Sequence, residues 1–274
     1  WAGDPVPFKT DPLGMPLSPY HMWNKQTLPK PQGRSWREKY SWATSPRWDR
    51  QVVEAGAYAR MWTTAAARKY PANPFITSTG TSLKMLLPAA SLPEMQAEWR
   101  IPTELNAIER NRARAYAQAY TALVALNNLL AAYDLQKKGE TAVSRDYEIP
   151  KGERVGVGFW GAGRGYLSHH LTMDKGALTN YQICTPSTIN ASPADPFGQG
   201  GPYEEAVMNT PIIEQFAKGE DFKGIDILRT IRSFDPCMPC TTHMYAGDVT
   251  VVREVNTCAC ALDEEDEAAP AALG

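Results

Sequence analysis

The sequence has 274 residues, 43% of them hydrophobic, and a formal net charge of −2. This describes an ordinary globular chain, large enough for one sizeable domain or two small ones, with no bulk attraction for nucleic acid. It has no apolar run of the roughly 18 residues that a membrane span needs.

The chain opens on Trp1, and its first stretch "WAGDPVPFKTDPLG" has neither a basic segment nor an apolar run, so it does not read as a signal peptide. The expectation is that the chain begins inside a longer protein. Residues 1–50, rich in Pro, Trp and Lys, are expected to be irregular with short strands. Alanine-rich helix is expected after about Val52, and "TSTGTS", residues 77–82, reads as a turn. "SLPEMQAEW" suggests a short helix with Pro93 near its start. The clearest element is a helix over residues 103–138, with Thr103 as cap, Glu104 at its positive end and Gly139 at its exit. Tyr116, Tyr120, Leu123, Leu126, Leu130 and Tyr133 fall three or four apart and mark one face, expected to be core. At 1.5 Å per residue such a helix is roughly 50 Å long.

Beyond it, residues 145–171 carry short β-like runs broken by glycines, and residues 180–202 read as loop. "EEAVMNTPIIEQFAKG" and "GIDILRTIRSF" read as two helices, and "DVTVVREV", residues 248–255, as a strand. The acidic end "DEEDEAAPAALG" reads as disordered, and there is no internal repeat.

There are five cysteines, four of them in the pairs Cys237/Cys240 and Cys258/Cys260. Cys184 stands alone and reads as a small buried hydrophobe. The stretch "DPCMPCTTH" sets Cys237 and Cys240 in a C-x-x-C with His243 three residues on. Spacing alone leaves several readings open: half of a structural zinc site with His243 as third ligand, a redox pair, or accidental buried thiols. Soft thiolates also suit nickel and low-spin iron. Asp235 and Pro236 directly before the pair do not fit a zinc knuckle.

The same stretch resembles the C-terminal D-P-C-x-x-C-x-x-H signature of the large subunit of nickel–iron hydrogenases. Three further stretches agree, in order. "KYSWATSPRWDRQVVEAGAYAR", residues 39–60, is similar to the family's YSW-x-K-x-PR…E-x-GPLAR segment, with Thr44 for the lysine and Ala57-Tyr58 for Pro-Leu. "GAGRGYLSHH", residues 161–170, resembles E-A-P-R-G-x-L-x-H, and "NYQICTPSTINASP", residues 180–193, resembles N-Y-Q-x-x-x-P-S/T-T-W-N-x-x-P.

The resemblance implies a fold that is mainly α with small β elements (α+β), a long-helix bundle core, incomplete at the N-terminus. It implies a Ni–Fe centre with carbon monoxide and cyanide on the iron, with Cys237 a terminal nickel ligand and Cys240 a bridge between the metals. The family's N-terminal cysteine pair is not in this sequence, so residues 1–243 are expected to be the C-terminal half of the domain, working with a missing N-terminal half and an iron–sulfur small subunit. The fragment alone is expected to be inactive. Arg164 matches the arginine over the open metal position, Asp235 the carboxylate that orients it, and Ser187 a hydroxyl that bonds a cyanide. Ile183 through its backbone carbonyl and His243 through its ring match contacts to a buried Mg ion. The activity implied is heterolytic cleavage of dihydrogen, with electrons leaving through the small subunit's iron–sulfur clusters. The location implied is cytoplasmic, or membrane-associated through partner subunits.

In this family an endopeptidase, acting after nickel-insertion proteins, removes an extension just past the signature histidine. Residues 244–274 match that extension, with Cys258 and Cys260 inside it. Gly161 and Gly163 for Glu and Pro, and Ile189 for Trp, suggest a divergent subgroup similar to the high-affinity actinobacterial type. His169 and His170 are expected to be satisfied structural histidines. Two other classes stand beside this reading: an electron-transfer structural subunit of the complex I type, which lacks the metal cysteines, and a zinc-binding interaction module.

Overall fold

The structure is a computed structural model that describes residues 8–24, 45–67, 75–87, 95–218 and 221–236, and the backbone of 240–246 and 249–255. The first described segment ends in a 3-10 turn, Met22–Asn24, with Trp23 and Asn24 buried. Helix α1, Ala57–Ala66, starts after Gly56 and is followed by an antiparallel meander of β1 (Ile76–Ser78), β2 (Ser82–Leu87) and β3 (Met95–Arg100). The expected turn at 77–82 closes β1 onto β2, and Thr79 Oγ1 accepts the Ser82 amide at 2.8 Å.

β3 corrects the sequence reading, which has a short helix here. Leu83 pairs with Trp99 and Met85 with Ala97, so residues two apart share one face. Trp99 is fully buried in a core of Met61, Ala65, Leu83, Met85 and Ala113. An aromatic of this size buries roughly 150–250 Å², worth on the order of 4–6 kcal/mol at about 25 cal/mol/Å². That gain exists only when β2 lies alongside, and local helix propensity does not register it. Pro93 lies outside the described residues.

The long helix is α2, Ala107–Lys137, of 31 residues, or about 46 Å. It starts at Asn106, whose side chain accepts the Glu109 amide at 3.0 Å, rather than at Thr103. It leaves through Gly139 at φ 87°, as expected. Tyr116, Ala117, Tyr120 and Leu123 pack on the core. Leu126, Leu130 and Tyr133, on the same stripe, are exposed. The stripe is therefore core only over its first half, because among the described residues the sheet and α1 support only that half.

A second antiparallel meander follows: β4 (Arg154–Ala162), β5 (Gly165–Asp174) and β6 (Ala177–Cys184), with β5 central. Glycines 156 and 158 sit within β4 rather than ending it, and residues 177–190 are strand and helix where a loop is expected from residue 180. Short helices α3 (Pro186–Asn190), α4 (Pro202–Met208) and α5 (Ile225–Arg232) come next. The helix expected over residues 204–219 stops at Met208, ahead of Pro211, which cannot supply a helical N–H. β7 (Cys240–Ala246) and β8 (Val249–Val255) form a hairpin, so the strand expected at 248–255 is present. Helix and strand are close to balanced among the described residues, which fits α+β, and no described helix is long and apolar enough to cross a membrane.

Candidate functional site

The stretches singled out in the sequence converge in space. Asn190, fully buried in α3, accepts the Ala55 amide through Oδ1 and donates Nδ2–H to the Ala55 carbonyl, both at 2.8 Å. One side chain thus completes a backbone pair in the way a neighbouring strand would. Arg47 Nη2 donates to the Pro193 carbonyl at 2.8 Å, and Asp195 Oδ2 accepts the Val52 amide at 3.1 Å. Burial pushes the Asp195 carboxyl up, but the amides of Val52, Gln199 and Phe197, with Arg47 nearby, bring it below its ordinary range. The 161–170 stretch joins at Gly165, φ 132°, where a Cβ would stand 2.7 Å from the Gly56 nitrogen and 3.0 Å from Pro186 Cβ. Only glycine allows that approach.

This joint presents Arg164 from the turn between β4 and β5. Its Nε lies 3.6 Å from Asp235 Oδ2, an ion pair between residues far apart in sequence. Asp235 also meets α2, where Arg114 Nε lies 3.6 Å from the same oxygen. Arg114 also donates Nη2–H to the Ser233 carbonyl and Nη1–H to Asn111 Oδ1, each at 2.6 Å. Burial pulls the Arg114 guanidinium below its ordinary range; Asp235 opposes this and Arg164 adds to it. One turn earlier, Arg110 sends Nε and Nη2 to the two Glu54 oxygens at 2.8 and 2.9 Å and lies 3.9 Å from the Phe234 ring centre. Ser233, Phe234 and Pro236 are buried, and Asp235 has φ 55°. The residues leading into Cys237 are therefore rigidly held.

One face of the second sheet is buried but polar. It carries Ser168, His170 and Thr172 on β5. Met22–Asn24 caps this face, with Trp23 Nε1–H donating to the Gly156 carbonyl at 3.1 Å. His170 is held neutral, with its pKa lowered to about 4 by burial first and by His21 and His169 second. Its Nδ1 is buried and makes no hydrogen bond among the described residues, so the expectation of a satisfied histidine fails there. His169 meets it, with Nδ1 on the Tyr181 hydroxyl. Cys184 is buried beside Ala55 and Ile189, and burial pushes its thiol up, as expected of a structural cysteine.

Of the remaining candidates, Ser187 lies in α3, half-buried. Ile183 lies on β6, opposite His169, with its side chain partly exposed. Cys240 and His243 lie on β7, where only the backbone is described, and Cys237 falls outside the described residues. Among the described residues no three His, Cys, Asp or Glu side chains gather as a metal site. A C-x-x-C supplies two soft donors, which suits one end of a thiolate-bound nickel and is half of a four-thiolate set. The rigid approach through Ser233–Pro236 is what such a donor pair requires. Arg114, Asn190 and the Glu54–Arg110 pair were not picked out from the sequence. The signal was weak: an Arg at 110 and another at 114 in "ERNRARAYAQ" reads as a solvated helix face.

Residues 15–243 match the family model described as nickel-dependent hydrogenase. The chain is 36% identical over 222 residues to the Hydrogenase-1 large chain of Escherichia coli K12, covering 77% of this chain and 33% of that one. It is 30% identical over 246 residues to the Hydrogenase-2 large chain of the same strain, covering 87% and 40%. The actinobacterial-type NiFe-hydrogenase structure from Ralstonia eutropha H16 matches with TM-score 0.72 and 45% identity, over 86% of this chain and 44% of that one. The chain thus spans less than half the length of each of these relatives.

Proposed function

The chain belongs to the nickel-dependent hydrogenase family, and on that footing we propose that it is the C-terminal part of a hydrogenase large subunit, working in the cleavage of dihydrogen to two protons and two electrons. The observation that carries this is the Arg164–Asp235 pair, assembled at the entry to Cys237. Cys237 and Cys240 would hold a nickel–iron group together with thiolates supplied from outside this chain. When bound, that group supplies a soft, electron-rich centre with an open position for dihydrogen.

The chain's own residues do the rest. Arg164 holds a guanidinium on a turn whose backbone passes close to Gly56 at Gly165, so the position of its fork is set by the fold. Asp235 aims that planar fork and neutralises its charge. Ser187 is proposed to hydrogen-bond a cyanide on the iron, and His243 and the Ile183 carbonyl to serve a Mg site. The carbon monoxide ligand, like the cyanides, would come from accessory proteins.

Electrons leave through an iron–sulfur small subunit, and the exposed Trp48 and Phe197 are candidate contacts for it. The exposed half of the α2 stripe is proposed to complete a helical bundle with the N-terminal half of the subunit. Residues 1–243 form the mature part, and 244–274 the extension removed by an endopeptidase after nickel insertion. The 45% identity to an actinobacterial-type enzyme favours that subgroup.

The experiment is anaerobic purification of the complete large subunit with its small subunit, followed by metal analysis and a hydrogen-uptake assay. Nickel with iron and uptake are expected. Zinc alone would point to an interaction module, and no metal to an electron-transfer structural subunit.

A further inference from the structure

The segment entering Cys237 is gripped from one side by two arginines of α2, one helical turn apart. Arg110, fixed by Glu54, stacks on Phe234. Arg114 ties down the residues on either side of that ring, with Nη2–H on the Ser233 carbonyl at 2.6 Å and Nε 3.6 Å from Asp235 Oδ2. From the turn between β4 and β5, Arg164 Nε reaches that same oxygen, also at 3.6 Å. Two cations therefore share one carboxylate oxygen.

They differ in exposure. The Arg114 side chain is 17% exposed, and two of its nitrogens are committed to Ser233 and Asn111; the Arg164 side chain is 34% exposed. Asp235 itself sits at φ 55°, a left-handed conformation that aspartate tolerates better than most non-glycine residues and that fixes the direction its side chain leaves the backbone. Its carboxylate is thus set by two features: a left-handed backbone next to the Ser233 contact, and the charge of the largely buried Arg114 guanidinium.

We infer that Arg114 is a positioning residue for the Arg164–Asp235 pair. It fixes the Asp235 carboxylate where Arg164 meets it and keeps that carboxylate from closing fully onto Arg164. This rests on the hydrogenase reading above. A lysine at 114 could reach either the Ser233 carbonyl or the Asp235 carboxylate with its compact ammonium, but could not span both as a planar fork does. The competing role for Arg114 is a plain tether of α2 to the end of α5 through Ser233, with no link to Asp235.

The two roles are separated by a double-mutant cycle on the assembled two-subunit enzyme: Arg114→Gln, Asp235→Asn and the pair. If Arg114 acts through Asp235, each single change lowers kcat about tenfold with KM for dihydrogen within about twofold, and the double change is also about tenfold slower rather than about a hundredfold. The infrared bands of the carbon monoxide and cyanide ligands stay at full intensity and shift alike in both single variants. Multiplying effects, or Arg114→Gln at wild-type kcat with unshifted bands, overturn the inference. Where Arg114→Gln does not accumulate, Arg114→Lys carries the test: a folded variant with full-intensity bands, slowed about tenfold, supports the positioning role, and one at wild-type kcat overturns it. A wild-type enzyme without nickel or uptake would sink the hydrogenase reading itself, so the two failures are distinct.

Discussion

Replacing Asn190 by alanine should weaken the fold far more than its size suggests. The side chain is fully buried and forms two 2.8 Å hydrogen bonds to one residue, Ala55, which is itself 8% exposed. Truncation leaves an amide and a carbonyl buried without partners, at about 1–3 kcal/mol each, so the loss is on the order of 2–6 kcal/mol. That is a large share of the roughly 5–15 kcal/mol that holds a folded domain together. Asn190→Asp separates the two bonds: a carboxylate can still accept the Ala55 amide but faces the Ala55 carbonyl with like charge, so it should be at least as damaging at neutral pH. Urea titration followed by tryptophan fluorescence, on the three chains in parallel, measures this. A loss under about 1 kcal/mol for Asn190→Ala would mean that water replaces the amide and that the junction between the 39–60 and 180–193 stretches does not depend on it.

Arg164→Lys should slow hydrogen uptake by the complete enzyme about a hundredfold while the carbon monoxide and cyanide bands persist, because an ammonium cannot present the fork that Asp235 aims; intact bands with near-normal uptake would make Arg164 structural. Cys240→Ser should abolish nickel retention, read by metal analysis, since a hydroxyl is a poor ligand for a soft metal. His170, with its pKa lowered to about 4 against an ordinary 6.5, takes up its proton more readily unfolded than folded. Stability should therefore be complete above about pH 6.5 and fall by up to about 3 kcal/mol as pH drops towards 4, and His170→Gln should flatten that part of the urea midpoint's pH profile.

The sequence made legible what local chemistry decides. The body of α2, its exit at Gly139, α5, the 77–82 turn and the strand at 248–255 all follow from caps, periodicity and turn residues near them in the chain. Arg164 and Asp235 were named in advance, and the fold brings them together, but only through a family resemblance. Spacing alone would have left Arg164 a surface arginine. The parts that were hidden depend on distant partners. Met95–Arg100 is a strand because β2 offers Leu83 to Trp99. Residues 180–184, read as the start of a loop running to 202, are strand because β5 lies beside them. Arg114 is hidden for the same reason: an arginine in an alanine-rich helix gives no sign that a carbonyl and a carboxylate from the far end of the chain will arrive at it.

The C-terminal hairpin pairs Cys240 with Val255, Thr241 with Glu254, Thr242 with Arg253 and His243 with Val252. A cut just after His243 would fall within β7 rather than in the turn beyond it, separating Met244–Ala246, and β8 with them, from the Cys240–His243 half of β7. The four residues from Cys240 to His243 would then be a newly made chain end. Their backbone groups, occupied until then by β8, would be released together, and a fresh carboxylate would sit on the histidine. Proteolysis at that one bond would thus do more than shorten the chain: it would convert a self-paired strand into an edge free to take a different neighbour, and because the severed strand leaves as a separate peptide, the change would not reverse.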